Sequence, residues 1–219
     1  MTTATDVRIV DAAREHIPFV AWVVMAANRS HLPRGMWDFV IDKDEAAVLT
    51  YLERFADTDA MHSGHHTLFK IAEVDGVPAA GLCGFFENDL PFSCIPAGAA
   101  EADQKTGRTP EEVAAGWERA GAISGLTALT HEPGAWVVEN VATHPDFRRM
   151  GLVARLIDDM LERGRQRGAT AADIGALIGN DPAQRRYETS GFRVVQEVRD
   201  AEFERVYGSP GARMMRRAL

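Results

Sequence analysis

Little cysteine, no long apolar run and no surplus of positive charge define this 219-residue chain by exclusion. Its two cysteines, Cys83 and Cys94, stand eleven positions apart and make no disulfide framework, so the expectation is reduced thiols in the cytoplasm. No stretch of about eighteen apolar residues is present to cross a membrane, and the first residues lack the basic segment and apolar stretch of a secretory signal. A formal net charge of −8 argues against a nucleic-acid partner held by a broad basic surface. No G-x-x-x-x-G-K-[ST] occurs, which excludes an ATP-binding P-loop, and the spaced glycines of a nicotinamide fingerprint are missing as well. With no linker to divide it, the chain is expected to be one domain over residues 1–219 with a substantial core.

What is present is concentrated between Val141 and Ala154. An extended run turns through His144 and Pro145 into Arg148, Arg149, Met150, Gly151, Leu152 and Val153, then into a helical apolar pattern. A strand that empties into a basic, glycine-containing turn at a helix start is an anion cradle. Free amides of the first turn, the positive end of the helix dipole and nearby arginines all favour a phosphate, here a pyrophosphate. Six arginines face three acids between Arg148 and Arg167, with Arg185 and Arg186 to follow, so positive charge gathers where a phosphate-rich ligand would lie. Leu152, Val153, Leu156, Ile157, Met160 and Leu161 repeat at helical spacing. Thr170 to Ile178 has strand length, Gly179-Asn180-Asp181-Pro182 breaks it, and Asp181 with Pro182 reads as N-cap and first helical position. The next helix runs to about Thr189, and Phe192 to Val198 alternates as a strand.

These residues carry a resemblance. Glu139 to Gly151, with Arg148-Arg149-Met150-Gly151-Leu152-Val153 on the pattern Q/R-x-x-G-x-G/A, followed by Asn180 and by Tyr187-Glu188-Thr189-Ser190-Gly191-Phe192, resemble the GNAT family of N-acetyltransferases. The resemblance covers about residues 135–198. It implies an α/β (α+β) fold with a central, mixed, mostly antiparallel sheet of about seven strands flanked by helices. It also implies acetyl-CoA as cofactor, transfer to an amine, and no metal. Backbone groups of Val141, Ala142 and Thr143 would pair with the pantetheine arm. Arg148, Arg149, Met150, Gly151, Leu152, Val153 and Ala154 would bind the pyrophosphate, with Asn180 and Arg186 completing the cofactor site. Two departures stand out. Val153 replaces the usual Gly or Ala, although its amide still donates, and Gly175 occupies a strand position where some members carry a catalytic glutamate.

Attack on a thioester needs a neutral amine, a donor for the oxyanion and a proton for the leaving thiolate. By resemblance Tyr187 is the acid. For the base, alternation puts Glu139 on one face with Val141 and Thr143, opposite Asn140, with Glu87 at the end of a preceding strand as its rival. A non-catalytic acyl-CoA sensor of the same fold is the alternative reading, prompted by Gly175, Val153 and a long insertion.

In the first half, Val7 to Val10 reads as a strand. Asp11 reads as the cap of a helix with Ile17, Val20, Ala21 and Val24 inward, and Asp42 opens a second helix through Val48, Tyr51, Leu52 and Phe55. The loop from Asn28 to Asp38 between them makes Arg29, His31, Arg34, Trp37 and Asp38 candidate acceptor contacts alongside Glu87. Thr67–Val74 and Pro78–Glu87 flank Asp75-Gly76, a hairpin signal. His62, His65 and His66 read as a polar loop rather than a metal site. Asn88 to Gly134 is an insertion between the third and fourth strands. Its first half is loop-like, a helix runs from Pro110 towards Ala122, and a lid, a pocket wall and a dimer contact are all open roles. The acceptor is expected to be a small-molecule or peptide amine, and a homodimer is the default assembly.

Overall fold

Alternating apolar residues along the strands divide the interior between two faces of one sheet. In a computed structural model, which describes residues 5–90, 92–121, 123 and 129–219, the strands are β1 (Val7–Asp11), β2 (Phe69–Val74), β3 (Val77–Phe86), β4 (Trp136–Thr143), β5 (Ala171–Leu177), β6 (Arg193–Arg199) and β7 (Gly211–Ala218). They form a seven-stranded sheet in the order β1-β2-β3-β4-β5-β7-β6, parallel only between β4 and β5. The helices are α1 (Ile17–Arg29), α2 (Met36–Ile41), α3 (Glu45–Ala56), α4 (Ile95–Thr106), α5 (Pro110–Gly121), α6 (Leu152–Gln166), α7 (Asp181–Thr189) and α8 (Ala201–Tyr207). This is the mixed α/β architecture anticipated above.

One face carries Phe69, Ile71, Cys83, Phe85 and Val137 against Val20, Val23 and Val24 of α1, Tyr51, Leu52 and Phe55 of α3, and Ala99 and Ala102 of α4. The other carries Leu82, Trp136, Val138, Ile174 and Met215 against Leu156, Ile157 and Met160 of α6 and Tyr187 of α7. Each fully buried aliphatic side chain contributes roughly 1.5–3 kcal/mol of transfer free energy, which holds the layers together. Asp75 (φ 50°) and Gly76 (φ 79°) form the two-residue turn between Val74 and Val77, matching the hairpin signal.

Several local expectations change. Asp11 ends β1 and its carboxylate meets Lys70 and Arg163, so it caps no helix. Asp44, accepting from Ala47 N, caps α3 in place of Asp42. The supposed loop from Asn28 to Asp38 contains the last residues of α1 and the start of α2. The loop-like first half of the segment after β3 is α4. Pro96 sits in its first turn, where no amide is needed, and Gly107 (φ 67°) ends it in the left-handed region, so residues read as loop punctuation are a helix start and stop. Asn180, not Asp181, caps α7. The Ala122 end of the expected helix lies outside the described residues, and α8 was not anticipated.

The helices α4 and α5 pack on α3 and α2, joined by polar ties. Tyr51 donates to Ala99 O (3.2 Å), and the Glu101 carboxylate accepts from Asp59 N (2.8 Å) and Ala60 N (2.9 Å). Gly98 lies against the His62 ring with no room for a Cβ. The three histidines are buried rather than forming a polar loop. His62 Nδ1 accepts from Gly64 N (3.1 Å) while Nε2 meets the Thr58 hydroxyl (2.9 Å), and the ring stacks on Phe55.

Two stability predictions follow from this packing. Burial, with His65 adding to it, pushes His62 down to about 4. Neutral His62 therefore stabilises the fold fully above pH 6.5, and that contribution is lost as pH falls from 6.5 through 4, up to about 3 kcal/mol. Urea unfolding of the parent and of His62→Asn between pH 8 and 4 should show that extra loss in the parent alone; parallel curves would refute it. Secondly, a Cβ at Gly164 of α6 would stand 2.8 Å from Cγ of Trp136, which is fully buried and confined on its other side by Gly84. The helix-propensity gain of Gly164→Ala, about 1 kcal/mol, is outweighed by overpacking of about 1–3 kcal/mol. A lower urea midpoint is the expected result, and an unchanged or higher one would contradict it.

Candidate active site

β3 and β4 pair as far as Cys83 with Glu139 and resume at Gly81 with Ala142, so that Asn140 and Val141 together oppose Leu82. This is a β-bulge, and Asn140 takes its left-handed backbone (φ 52°), a conformation that asparagine tolerates better than most residues. Asn28 of α1 donates Nδ2 to Asn140 Oδ1 (3.2 Å) and to Val24 O (2.9 Å). Asn140 Nδ2 in turn donates to Cys83 Sγ (3.5 Å), whose thiol donates to Glu139 O (3.4 Å). Tyr207 of α8 donates its hydroxyl to Asn28 O (2.8 Å).

The extra residue overturns the alternation argument for Glu139. Cross-strand partners share a face, so Glu139 lies with Cys83 and Val137 on the α1 and α3 side, and Asn140 also reaches Cys83 and α1. Val141 packs instead with the α6 cluster. Glu139 is therefore on the same side as Asn140 and opposite Val141.

Beyond the bulge the sheet opens. β4 and β5 pair only from Trp136–Val138 to Ala172–Ile174. Past that point β4 stays with β3 and β5 stays with β7, leaving one edge of residues 139–143 unpaired in a wedge. Gly175 lies next to the point of divergence, exposed, where a Cβ would meet nothing within 4 Å, so the wedge has room at its narrow end. An unpaired strand edge accepts an extended chain by main-chain hydrogen bonds.

At the wide end stands the N-terminus of α6. Arg149 (φ 67°) and Gly151 (φ 75°) turn the chain, and the first helical bond runs from Arg155 N to Gly151 O (3.4 Å). The amides of Leu152, Val153 and Ala154 precede it and, among the described residues, have no backbone partner, Val153 included, so its side chain does not remove a donor. Arg148 and Arg149 are exposed, as is Met150, and among the described residues Arg148, Arg149 and Arg186 have no acidic partner. Free amides, a helix dipole and unpaired guanidinium groups fit a phosphate-bearing ligand.

Tyr187 is buried beside Phe192 in the α6-side cluster. Burial pushes its phenol up, so it is protonated at neutral pH, and among the described residues its hydroxyl has no hydrogen-bond partner. Burial also pushes the Glu139 carboxyl above the usual range, with His131 pulling it back in part. Among the described residues no group hydrogen-bonds the Glu139 or Glu87 carboxylates, and both are half-buried.

Other candidates are engaged elsewhere. Trp37 lies in the core against Tyr51 and Phe55, so it is a packing residue and not an acceptor contact. Arg29 binds Asp38 through Nε (2.9 Å) and Nη2 (2.7 Å) and reaches Glu45, while Asp38 accepts from Gly35 N (2.7 Å). That network holds Asp38 below the usual carboxylate range and locks the turn between α1 and α2 rather than facing a ligand. Arg34 is tied to Asp38 O and Asp42. Asn180 accepts from Ala183 N (3.2 Å) and donates to Ser30 Oγ (2.6 Å), so its amide is a cap and a strut before it is anything else. His31 is exposed beside Gly179, at the seam between the α1–α2 turn and the end of β5.

The sequence reading missed a polar cluster on the Glu139 face. Asp173 of β5, fully buried, accepts from Arg216 Nε (2.6 Å) and Nη2 (3.0 Å) and from Glu132 N (3.2 Å), and lies 3.2 Å from His131 Nδ1. Arg216 also meets Glu132 (2.6 Å). An acid inside the apolar run from Thr170 to Ile178 was the available signal, since a buried carboxylate requires partners. Among the described residues no group of three His, Cys, Asp or Glu side chains is placed to hold a metal, and no helix is long and apolar enough to cross a membrane.

Comparison with solved structures finds the same fold. An acetyltransferase aligns with a TM-score of 0.68 at 17% identity, covering 97% of this chain and 99% of its own. An N-acetyltransferase from Staphylococcus aureus Mu50 gives 0.69 at 17%, covering 96% and 100%. A polyamine N-acetyltransferase from Drosophila melanogaster, which forms N-acetylagmatine, gives 0.56 at 14%, covering 98% and 100%. No curated protein matches the sequence. The acetyltransferase (GNAT) family matches residues 35–192, which include the wedge, the α6 turn and Tyr187, and the chain belongs to that family.

Proposed function

We propose that the protein is an acetyl-CoA-dependent N-acetyltransferase that moves the acetyl group to a primary amine of a small molecule or peptide by direct attack in a ternary complex. The observation that carries this reading is the wedge between β4 and β5. It has free amides and unpaired arginines at its wide end, and a carboxylate of raised pKa beside its narrow end. The amides of Leu152, Val153 and Ala154, with Arg148, Arg149 and the turn at Met150 and Gly151, would hold the pyrophosphate, and Arg186 supplies a further cation. The unpaired edge at Val141, Ala142 and Thr143 would hold the pantetheine arm and lend an N–H to the oxyanion. Acetyl-CoA supplies the activated acyl group.

Glu139 withdraws the proton from the acceptor ammonium, a task suited to a carboxylate raised towards neutrality. Tyr187 keeps its proton at neutral pH and gives it to the departing sulfur. His31 and Glu87 border the acceptor side. The free thiols of Cys83 and Cys94 suit a reducing compartment such as the cytoplasm.

Thiol release with polyamines, amino acids, aminoglycosides and short peptides, beside calorimetric titration of acetyl-CoA, tests the assignment. Turnover on an amine supports it; binding without turnover would favour a non-catalytic acyl-CoA module, and no binding would remove the cofactor. Tyr187→Phe and Glu139→Gln should each lower kcat about 10²-fold with the acetyl-CoA KM within about twofold. In the parent, kcat should fall as pH drops through a midpoint above the ordinary carboxylate range, and that limb should vanish in Glu139→Gln. Arg148→Ala combined with Arg149→Ala should weaken acetyl-CoA binding about tenfold or more, increasingly so at low salt. Undiminished affinity would move the pyrophosphate elsewhere.

A further inference from the structure

Deprotonating the acceptor leaves its proton on Glu139, on a half-buried face, and the proton must leave before the next turnover. Next to Glu139 on that face, His131 is an imidazole already oriented by a carboxylate. Val137 and Asp173 are paired across β4 and β5, and Glu139 lies two residues beyond Val137 on the same side. Strand spacing and two residues of rise put the Glu139 and Asp173 backbones roughly 8 Å apart, within the span of their side chains and one ring.

The His131 ring lies against Asp173, close enough to Glu139 for each charge to act on the other. Its Nδ1 meets Asp173 Oδ2 at 3.2 Å, and among the described residues its Nε2 has no hydrogen-bond partner. Asp173 is itself fixed by both arms of Arg216 and by the Glu132 amide. The ring is one-fifth exposed, so it touches both the interior and water. The charged groups around it are Asp173 and Arg216 from β5 and β7, Glu132 from its own segment, Glu139 from β4, and Glu87 from the end of β3.

Building on the acetyltransferase reading, we infer that His131, held by Asp173, is a positioning residue that relays the acceptor's proton from Glu139 to solvent. The balance is simple. Glu139 takes H⁺ from R–NH₃⁺ and becomes the acid, and neutral His131 takes that H⁺ at Nε2 while its Nδ1–H donates to Asp173. The imidazolium then releases H⁺ to water. The free amine forms the C–N bond as the C–S bond breaks, its second proton leaves through the same relay to water, Tyr187 gives its proton to the thiolate, and water returns one proton to the Tyr187 phenol. One ammonium and one thioester thus give an amide, a thiol and one proton in solution. Protonated His131 also lowers the Glu139 pKa, so the pair resets the base for the next acceptor.

The test is His131→Gln in the full chain, with thermal unfolding to confirm that it folds. The expected result is a kcat reduced about tenfold or more with the acetyl-CoA KM unchanged, partial rescue by added imidazole, and an acidic limb moved to higher pH, because Glu139 has lost its cationic neighbour. A second arm needs no turnover. NMR titration of the His131 ring should give a lower midpoint in Glu139→Gln than in the parent, since the Glu139 charge favours imidazolium. A parent that acetylates an amine while His131→Gln matches its kcat and pH profile overturns the relay alone, as does an unmoved His131 midpoint. A parent inactive on every amine overturns the acetyltransferase reading and the relay with it.

Discussion

The site depends on one left-handed residue. With Asn140 in an ordinary extended conformation, β4 would pair with β3 without interruption and its side chains would alternate strictly, putting Val141 and Thr143 on the α1 side with Val137 and Glu139. The bulge inserts one residue after Glu139, which stays on the α1 side with Val137, and turns Val141 over to α6. A wedge between β4 and β5 then separates two kinds of chemistry. The amides at the start of α6 and the Tyr187 phenol lie on the α6 side; the Glu139 and Asp173 carboxylates and the His131 imidazole lie on the α1 side. Such a bulge is costly unless the surroundings hold it, and the amide of Asn28, itself anchored by Tyr207, does so.

That dependence extends to α8, whose Tyr207 holds Asn28. Tyr207 and Phe203 of α8 pack with Leu32, Met36 and Phe39 of the α1–α2 turn, with Ile123 and with Leu177 of β5, joining that turn to the end of β5 by apolar contact. The Arg29–Asp38–Glu45 network fixes the same turn from below. Tyr51, Glu101 and His62 bind α4 to α3 and its following turn, and Arg119 of α5 donates to Phe39 O of α2. Ahead of β4, His131 meets Asp173 of β5.

Elements with strong periodicity or strong punctuation were legible in the sequence. The α6 helix has six apolar residues on one stripe, and the Asp75-Gly76 turn admits few conformations, so each was readable from a short window. What escaped was set by contacts between distant residues. The period-two argument for Glu139 failed because the bulge at Asn140 is stabilised by Asn28, 112 residues away. Trp37 resembled an acceptor contact until α3 supplied Tyr51 and Phe55 to bury it. Pro96 and Gly107 were read as loop because their helix has a weak apolar stripe, and only its packing against His62 and Tyr51 makes it stable.

The absence of a glutamate at Gly175 has a physical reading in this arrangement. A carboxylate there would stand on β5 at the narrow end of the wedge, one residue past the last β4–β5 pair. Glu139 stands one residue past the same pair on the opposite strand. A second unpaired carboxylate so near would raise the pKa of one or both, since like charges at close range resist joint ionisation. Glycine at 175 leaves Glu139 as the sole carboxylate beside that point among these two residues. Its opposing charge comes from His131, whose own charge is set by Asp173 on the same β5 strand. The carboxylate proposed as the base is thus carried by β4, while β5 supplies the space and the anchor for the group that shifts its pKa.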